Sequence, residues 1–273
     1  MIKLDLERIR RELEKAEALV LTIGAGMSAD SGIPTYRGQG GAWGQLEGEL
    51  KGEITDIMTP EFINRNPVLM WKRFARGKQK AHLYPPHKGY HVLKDWQDRF
   101  SLDTFVVSSN VDGMFQRVGF KEEQILEVHG SGAFQQCTLP CHQGIWENNP
   151  KFDPEKESVS VDELPRCPVC GRLARPNVFI FKDKTFVRKR VDEQRNNYDL
   201  FLARNEGKRF LVIEIGAGNT IKTIRFHTRR LIRNQNAWAI RINLLDAEIE
   251  HPHLGIAETA LNSLTEINEY LHQ

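Results

Sequence analysis

The chain is poor in cysteine, with four in 273 residues, all between positions 137 and 170. A secreted scaffold held by disulfides would use more of them and spread them along the chain. No apolar run approaches the roughly 18 residues of a membrane-spanning helix, so no membrane association is expected. Positions 1–6 carry Lys3 and Asp5 and lead into a charged stretch over 7–15. That start lacks the apolar core of a secretory signal, and the expected compartment is the cytoplasm. Charge of one sign is also scarce: 38 basic against 36 acidic residues give a net +2. This balance argues against a protein that grips nucleic acid through its phosphates. Basic runs at 72–80, 182–190 and 225–233 read as solvated faces or as a surface for an acidic partner.

What remains is the composition of an ordinary globular protein, 40% hydrophobic and 27% charged, long enough for an α/β core with a smaller satellite. Leu4, Leu6, Ile9, Leu13 and Ala16 recur with helical spacing opposite a charged face. The continuous apolar run 18–23, ended by Gly24, has the character of a strand buried on both faces of a parallel sheet. Similar runs lie at 104–108, 209–215 and 237–242, separated by helical patterns such as 87–96 and 220–234. This alternation implies an α/β fold, a doubly wound, Rossmann-like parallel sheet. Two segments interrupt it. Residues 41–86 form a polar, helical or loop insertion, and 133–176 form a small cysteine-bearing module. The Rossmann-like domain then comprises 1–40, 87–132 and 177–273.

Cys137-x3-Cys141 and Cys167-x2-Cys170 are two close pairs that can surround one tetrahedral Zn²⁺. Four thiolates leave no open position for water, so the metal is structural and supports a module too small for its own core. His142, beside Cys141, is an alternative ligand or a surface histidine.

After the first strand runs Gly24-Ala-Gly-Met-Ser28, continued by Ser31-Gly-Ile-Pro-Thr-Tyr-Arg37. Glycines at a strand-to-helix turn let backbone N–H groups approach phosphate, with the helix N-terminus favouring its charge. Ser109-Asn-Val-Asp112 follows the second strand, and Glu127-Val-His-Gly-Ser131 comes next. The cysteine pairs, the stretch 175–183, Gly216-Ala-Gly218 and Arg241-Ile-Asn243 follow in that order. In these motifs and their order the chain resembles the sirtuins, over most of its length.

The resemblance implies an NAD-dependent protein-lysine deacylase. NAD is consumed: the acyl-lysine amide oxygen takes nicotinamide's place on the ribose, and a ribose hydroxyl then captures the acyl group. The products are free lysine, nicotinamide and O-acyl-ADP-ribose. By the same resemblance Gly24, Ala25, Gly26 and Ser28 line the pyrophosphate site. Ile33 and Asp112 hold the nicotinamide amide, while Tyr36 covers the departing nicotinamide and Arg37 steadies the phosphates. Ser109 and Asn110 meet the nicotinamide ribose, and Gly216, Ala217, Gly218, Asn219 and Asn243 hold the adenosine half. His129 is the general base, aided by Asn110 and Asp112. Val178, Phe179 and Phe181 receive the acyl peptide. Taken singly, Asp112 is equally a helix N-cap, His129 a buried structural histidine, and Tyr36–Arg37 a stacked surface pair.

The chain also departs from the family pattern. Ser109 stands where a glutamine is usual, Lys182 where a glycine precedes the acidic residue, and Gly216-Ala-Gly218-Asn219 replaces the common Gly-Thr-Ser. The stretches Asn110-Val-Asp-Gly-Met-Phe-Gln116 and Ile215-Gly-Ala-Gly218 resemble a bacterial-type branch with partial likeness to protein ADP-ribosyltransferases, and Lys182 is expected to narrow the peptide channel. Those transferases lack the histidine, so His129 favours deacylation. ADP-ribosyl transfer, NAD hydrolysis and a non-catalytic NAD or ADP-ribose sensor are the alternatives. Phe74 and Gly77 occupy the positions of the Tyr-x-x-Arg pair that reads acidic acyl groups, with Arg73 and Arg76 out of register. A neutral acyl group is expected.

Overall fold

The computed structural model describes residues 5–35 and 41–273. Helix α1 (Leu6–Lys15) starts where the Asp5 carboxylate accepts the Arg8 N–H, and it buries Ile9 and Leu13. Strand β1 (Ala18–Ile23) is buried throughout, as a strand covered on both faces must be. A short α2 (Gly26–Ala29) follows. Helices α3 (Ala42–Leu50), α4 (Ile54–Ile57), α5 (Pro60–Arg65) and α6 (Pro67–Leu83) make the insertion. The chain returns through α7 (Lys88–Arg99), β2 (Asp103–Ser108), α8 (Met114–Arg117) and β3 (Ile125–Glu127). Strands β4 (Gly130–Cys137), β5 (Trp146–Glu147) and β6 (Ala174–Val178) form the small antiparallel sheet. The last part is α9 (Lys189–Arg204), β7 (Phe210–Ile215), α10 (Thr223–Gln235), β8 (Trp238–Ile242), β9 (Leu254–Ile256) and α11 (Ala260–Leu271).

The main sheet is parallel with strand order β3-β2-β1-β7-β8-β9. The order reverses between β1 and β7, and in open α/β sheets ligands bind in the crevice beyond the strand ends at such a reversal. Side chains of β1 alternate between two cores. Leu19, Leu21 and Ile23 pack with α1, α7 and α11 residues such as Leu13, Trp96 and Leu264. Ala18 and Val20 join Tyr198, Phe201 and Leu231 of α9 and α10 on the other face.

The two segments read as separate insertions share a core. Trp71 and Ala75 of α6 pack with Phe152, Leu164 and Ala174 of the cysteine segment, and the Trp71 Nε1–H donates to the Ala174 carbonyl at 2.8 Å. The cysteine segment has little apolar material, so it borrows a helix face. Its sheet also begins at Gly130 and ends at Val178, because Gly130 pairs with Val178 and Ser131 with Asn177. Both ends lie a few residues outside the expected 133–176. Among the described residues no helix is long and apolar enough to cross a membrane.

Candidate functional site

The loops leaving β1, β2 and β7 meet at the carboxyl ends of their strands. Gly216 adopts φ +65°, a left-handed conformation that glycine tolerates. A Cβ there would lie 2.4 Å from the Gly26 Cα, and one on Gly24 would lie 2.5 Å from the Gly216 oxygen. The backbones are thus in contact, and the N–H groups are partly spent on it. Gly24 donates to Ile215, Gly26 to Gly216, and Ser28 to Ala25. Helix α2 is a single short turn, so its dipole is a poor anion site, contrary to the helix expected after this loop. Among the described residues, the N–H groups of Ala25, Ala217, Gly218 and Asn219 carry no backbone hydrogen bond. Asn243 supports this side from beneath: its Nδ2 donates to the Ala217 carbonyl at 2.9 Å, and its Oδ1 accepts from Leu245 and Asp246. The Arg225 guanidinium donates to the same carbonyl.

The loop after β2 carries the polar centre. Asn110 is buried, and its Nδ2 donates to Ser28 Oγ at 2.9 Å and to the Gly24 carbonyl at 3.2 Å. Its Oδ1 is buried without a partner among the described residues. Ser28 Oγ donates to Asp112 Oδ2 at 2.5 Å, and Asp112 Oδ1 accepts the Met114 N–H at 3.1 Å. Asp112 therefore accepts the first N–H of α8 with one oxygen and meets the Ser28 cluster with the other. Burial pushes its carboxyl above the usual range, opposed by the Ser28 hydroxyl. Ser109 Oγ donates to the Ile23 carbonyl. Ile33 packs half-buried against the main core.

His129 follows β3. Burial holds its imidazole below the ordinary value, with a hydrogen bond to the Ser109 backbone working the other way. Its neutral form is thereby favoured near pH 7. Two residues earlier, the buried Glu127 carboxylate meets Arg190 of α9 at 2.5 Å and accepts from Gln116 of α8 at 3.1 Å. Sequence reasoning missed this brace because Arg190 comes from a distant helix.

The carbonyl of His129 accepts the Phe179 N–H at 2.8 Å, and Met58 accepts that of Phe181 at 2.9 Å. The segment that leaves β6 after Val178, the last residue of that strand, thus bridges the main domain and the insertion. Phe181 packs edge-on to Trp43. Lys182 takes the left-handed φ of +54°, as the glycine usual at this place would, and its Nζ pairs with Asp56 of α4 at 2.7 Å. This ammonium is drawn out along the surface, contrary to the expectation that it narrows the channel. The strand's other anchor is the buried Arg175–Asp183 ion pair at 2.6 Å.

The four cysteine sulfurs lie within 4.8 Å of one another. The pairs Cys137–Cys170 and Cys141–Cys167 are each 3.7 Å apart, far beyond a disulfide's ~2.05 Å. A tetrahedron with Zn–S bonds of about 2.3 Å has edges of about 3.8 Å, so the cluster fits a structural Zn²⁺. His142 is a neighbour, its Nε2 3.5 Å from the Cys167 sulfur. Tyr36 and Arg37 lie outside the described residues.

The chain is similar to known proteins in sequence and in fold. The chain is 30% identical over 216 residues to an NAD-dependent protein deacylase of Daphnia pulex, covering 72% of this chain and 76% of that one. It is 31% identical over 219 residues to the mitochondrial NAD-dependent protein deacylase sirtuin-5 of Canis lupus familiaris, covering 72% and 67%. Among solved structures it superposes on a mutant Sir2 homologue complexed with ADP-ribose, with TM-score 0.73, 22% identity and coverage of 97% and 96%. A Sir2 homologue complexed with NAD gives TM-score 0.72, 21% identity and coverage of 97% and 93%. Residues 24–204 match the Sir2 family, and the chain belongs to that family.

Proposed function

We propose that this chain is an NAD-dependent protein-lysine deacylase. The observation that carries the proposal is the Ser28–Asn110–Asp112 cluster, with Ser28 and Asn110 buried and the His129 imidazole bonded to the neighbouring Ser109 backbone, at the reversal point of the sheet. Its relatives' names and the NAD and ADP-ribose complexes of its structural neighbours point the same way.

Bound NAD supplies an ADP-ribosyl group whose bond to nicotinamide breaks as the acyl-lysine amide oxygen replaces it. The protein's residues suit that task. Asn110 Oδ1, buried and without a partner among the described residues, is the acceptor for a ribose hydroxyl, because an orphaned acceptor of this kind costs about 1–3 kcal/mol unless a ligand satisfies it. Asp112 accepts from the carboxamide of nicotinamide, with Ile33 packing beside it. The N–H groups of Ala25, Ala217, Gly218 and Asn219, which carry no backbone hydrogen bond among the described residues, are the donors for the pyrophosphate and adenosine half. Gly24, Gly26, Gly216, Ser109 and Asn243 act by shaping those loops. Tyr36 and Arg37 keep the roles the family resemblance gives them. His129, neutral near pH 7, takes the proton from a ribose hydroxyl, as a general base must. Val178, Phe179 and Phe181 present the strand along which the substrate lies. Zn²⁺ at the four cysteines holds that side of the site, and a reducing compartment such as the cytoplasm suits unoxidised thiolates.

Arg73 pairs with Glu49 and Arg76 with Glu155 at the surface, and neither stands in the register of the pair that reads acidic acyl groups. We assign a neutral one. His129 favours deacylation over ADP-ribosyl transfer, which needs no acceptor-side base of this kind. Mass spectrometry of products from NAD and a panel of acyl-lysine peptides tests the reading. O-acyl-ADP-ribose is expected; free ADP-ribose or ADP-ribosylated protein alone would overturn it.

A further inference from the structure

Tyr90, on α7, is fully buried, and its hydroxyl lies 3.0 Å from Ser28 Oγ. The same Ser28 oxygen lies 2.9 Å from Asn110 Nδ2 and 2.5 Å from Asp112 Oδ2. An amide N–H only donates and an ionised carboxylate only accepts. Ser28's single proton therefore goes to Asp112, and Tyr90 is left to donate to Ser28. The chain of hydrogen bonds runs one way, from Tyr90 through Ser28 to Asp112.

Protonating Asp112 would reverse it. The new carboxyl O–H would donate to Ser28, Ser28 would turn to Tyr90, and the Tyr90 proton would lose its acceptor. Neither of the two rings packed against it provides a replacement. One side of the ring meets Phe115 at 5.0 Å and another meets His87 at 4.9 Å. Both His87 nitrogens are engaged, Nε2 with the Met27 carbonyl at 2.8 Å and Nδ1 with the Gly89 N–H at 3.0 Å. A buried hydroxyl proton without an acceptor is costly.

We propose that Tyr90 is a positioning residue that keeps Asp112 ionised, acting through Ser28. Its consequence for nicotinamide rests on the deacylase reading, but the effect on the carboxylate does not. The other groups facing Asp112 are the Met114 N–H and Arg117, which favour its charge, and Glu127, which senses it. Arg117 and Asp30 face Tyr90. None of these depends on the tyrosine proton.

Tyr90→Phe keeps the ring and removes only that proton. The ¹³C titration of the Asp112 carboxyl in the full-length, NAD-free protein is the direct measurement. In Tyr90→Phe its midpoint should rise by roughly one pH unit, the size of one buried hydrogen bond. Ser28→Ala should give a similar rise, and adding Tyr90→Phe to it should give no more, since the relay is already cut. The acidic limb of kcat/KM should move up with the carboxyl. An unshifted midpoint in a folded Tyr90→Phe protein would reduce Tyr90 to a packing role and overturn the proposal. A parent protein that ignores NAD would instead sink the deacylase reading, while the carboxyl titration would still decide the role of Tyr90.

Discussion

Gly26 and Gly216 pack backbone to backbone, so that a methyl group on Gly216 would come within 2.4 Å of the Gly26 Cα. This contact joins the loop after β1 to the loop after β7. Gly216→Ala would both overlap that backbone and strain a left-handed φ of +65°. Overpacking of this kind costs about 1–3 kcal/mol. The expected result is a lower melting temperature and NAD affinity weakened roughly tenfold or more, tenfold being ~1.4 kcal/mol. Calorimetric titration with NAD measures it, and unchanged affinity would show that the loops reach the ligand independently.

Replacing His129 by alanine removes the proposed base after binding is complete. Deacylation should fall by about 10²–10⁴-fold while NAD still binds. In the parent protein, burial lowers the imidazole pKa from its usual ~6.5. A base must be unprotonated, so the contribution of His129 persists at neutral pH and is lost as pH falls through a value below that figure. A pH–rate profile with and without the substitution is the check. Equal rates on an acyl-lysine peptide would remove His129 from the mechanism.

The cysteine cluster should hold one zinc per chain by elemental analysis. Stripping it, or making Cys167→Ser, should loosen more than the knuckles, because Trp71 on α6 donates to the Ala174 carbonyl beside them. A red shift of tryptophan emission with a drop in melting temperature is expected. A metal-free protein of unchanged stability would contradict a structural role.

His227 predicts an acid sensitivity. It is 6% exposed, and burial lowers its pKa to about 4, with Arg195 and Arg230 adding to the effect. The folded-state value lies below the unfolded ~6.5, so the unfolded chain binds the proton more readily. Stability from this group is present above pH ~6.5 and is lost as pH falls towards about 4. Urea denaturation across that window should show a slope reduced by up to about 1.4 kcal/mol per pH unit in His227→Leu. An identical slope would mean that the imidazole is not desolvated.

Strands β1, β2, β7 and β8 can be read from the chain because burial on both faces demands continuous apolar runs. Strands β3 and β9 cannot, since three residues are too few to show a period. Glycine spacing marks a strand-to-helix turn locally, whereas the Asn110, Asp112 and His129 motifs stand out only through their resemblance to the sirtuin pattern. Tyr90 is invisible in this way: within α7 it is one more apolar position.

The sequence by itself determined the parallel sheet, the glycine turn and the metal-binding cysteine pairs, for each is written in short-range pattern. Only the tertiary structure decided which charges are spent. Arg73 on Glu49, Arg76 on Glu155, Lys182 on Asp56 and Arg190 on Glu127 are partners far apart in the chain. It also decided that α6 completes the cysteine module and that Tyr90 reaches Ser28. Such pairings depend on how elements pack across space, and a side chain carries no local mark of the partner that folding will bring to it.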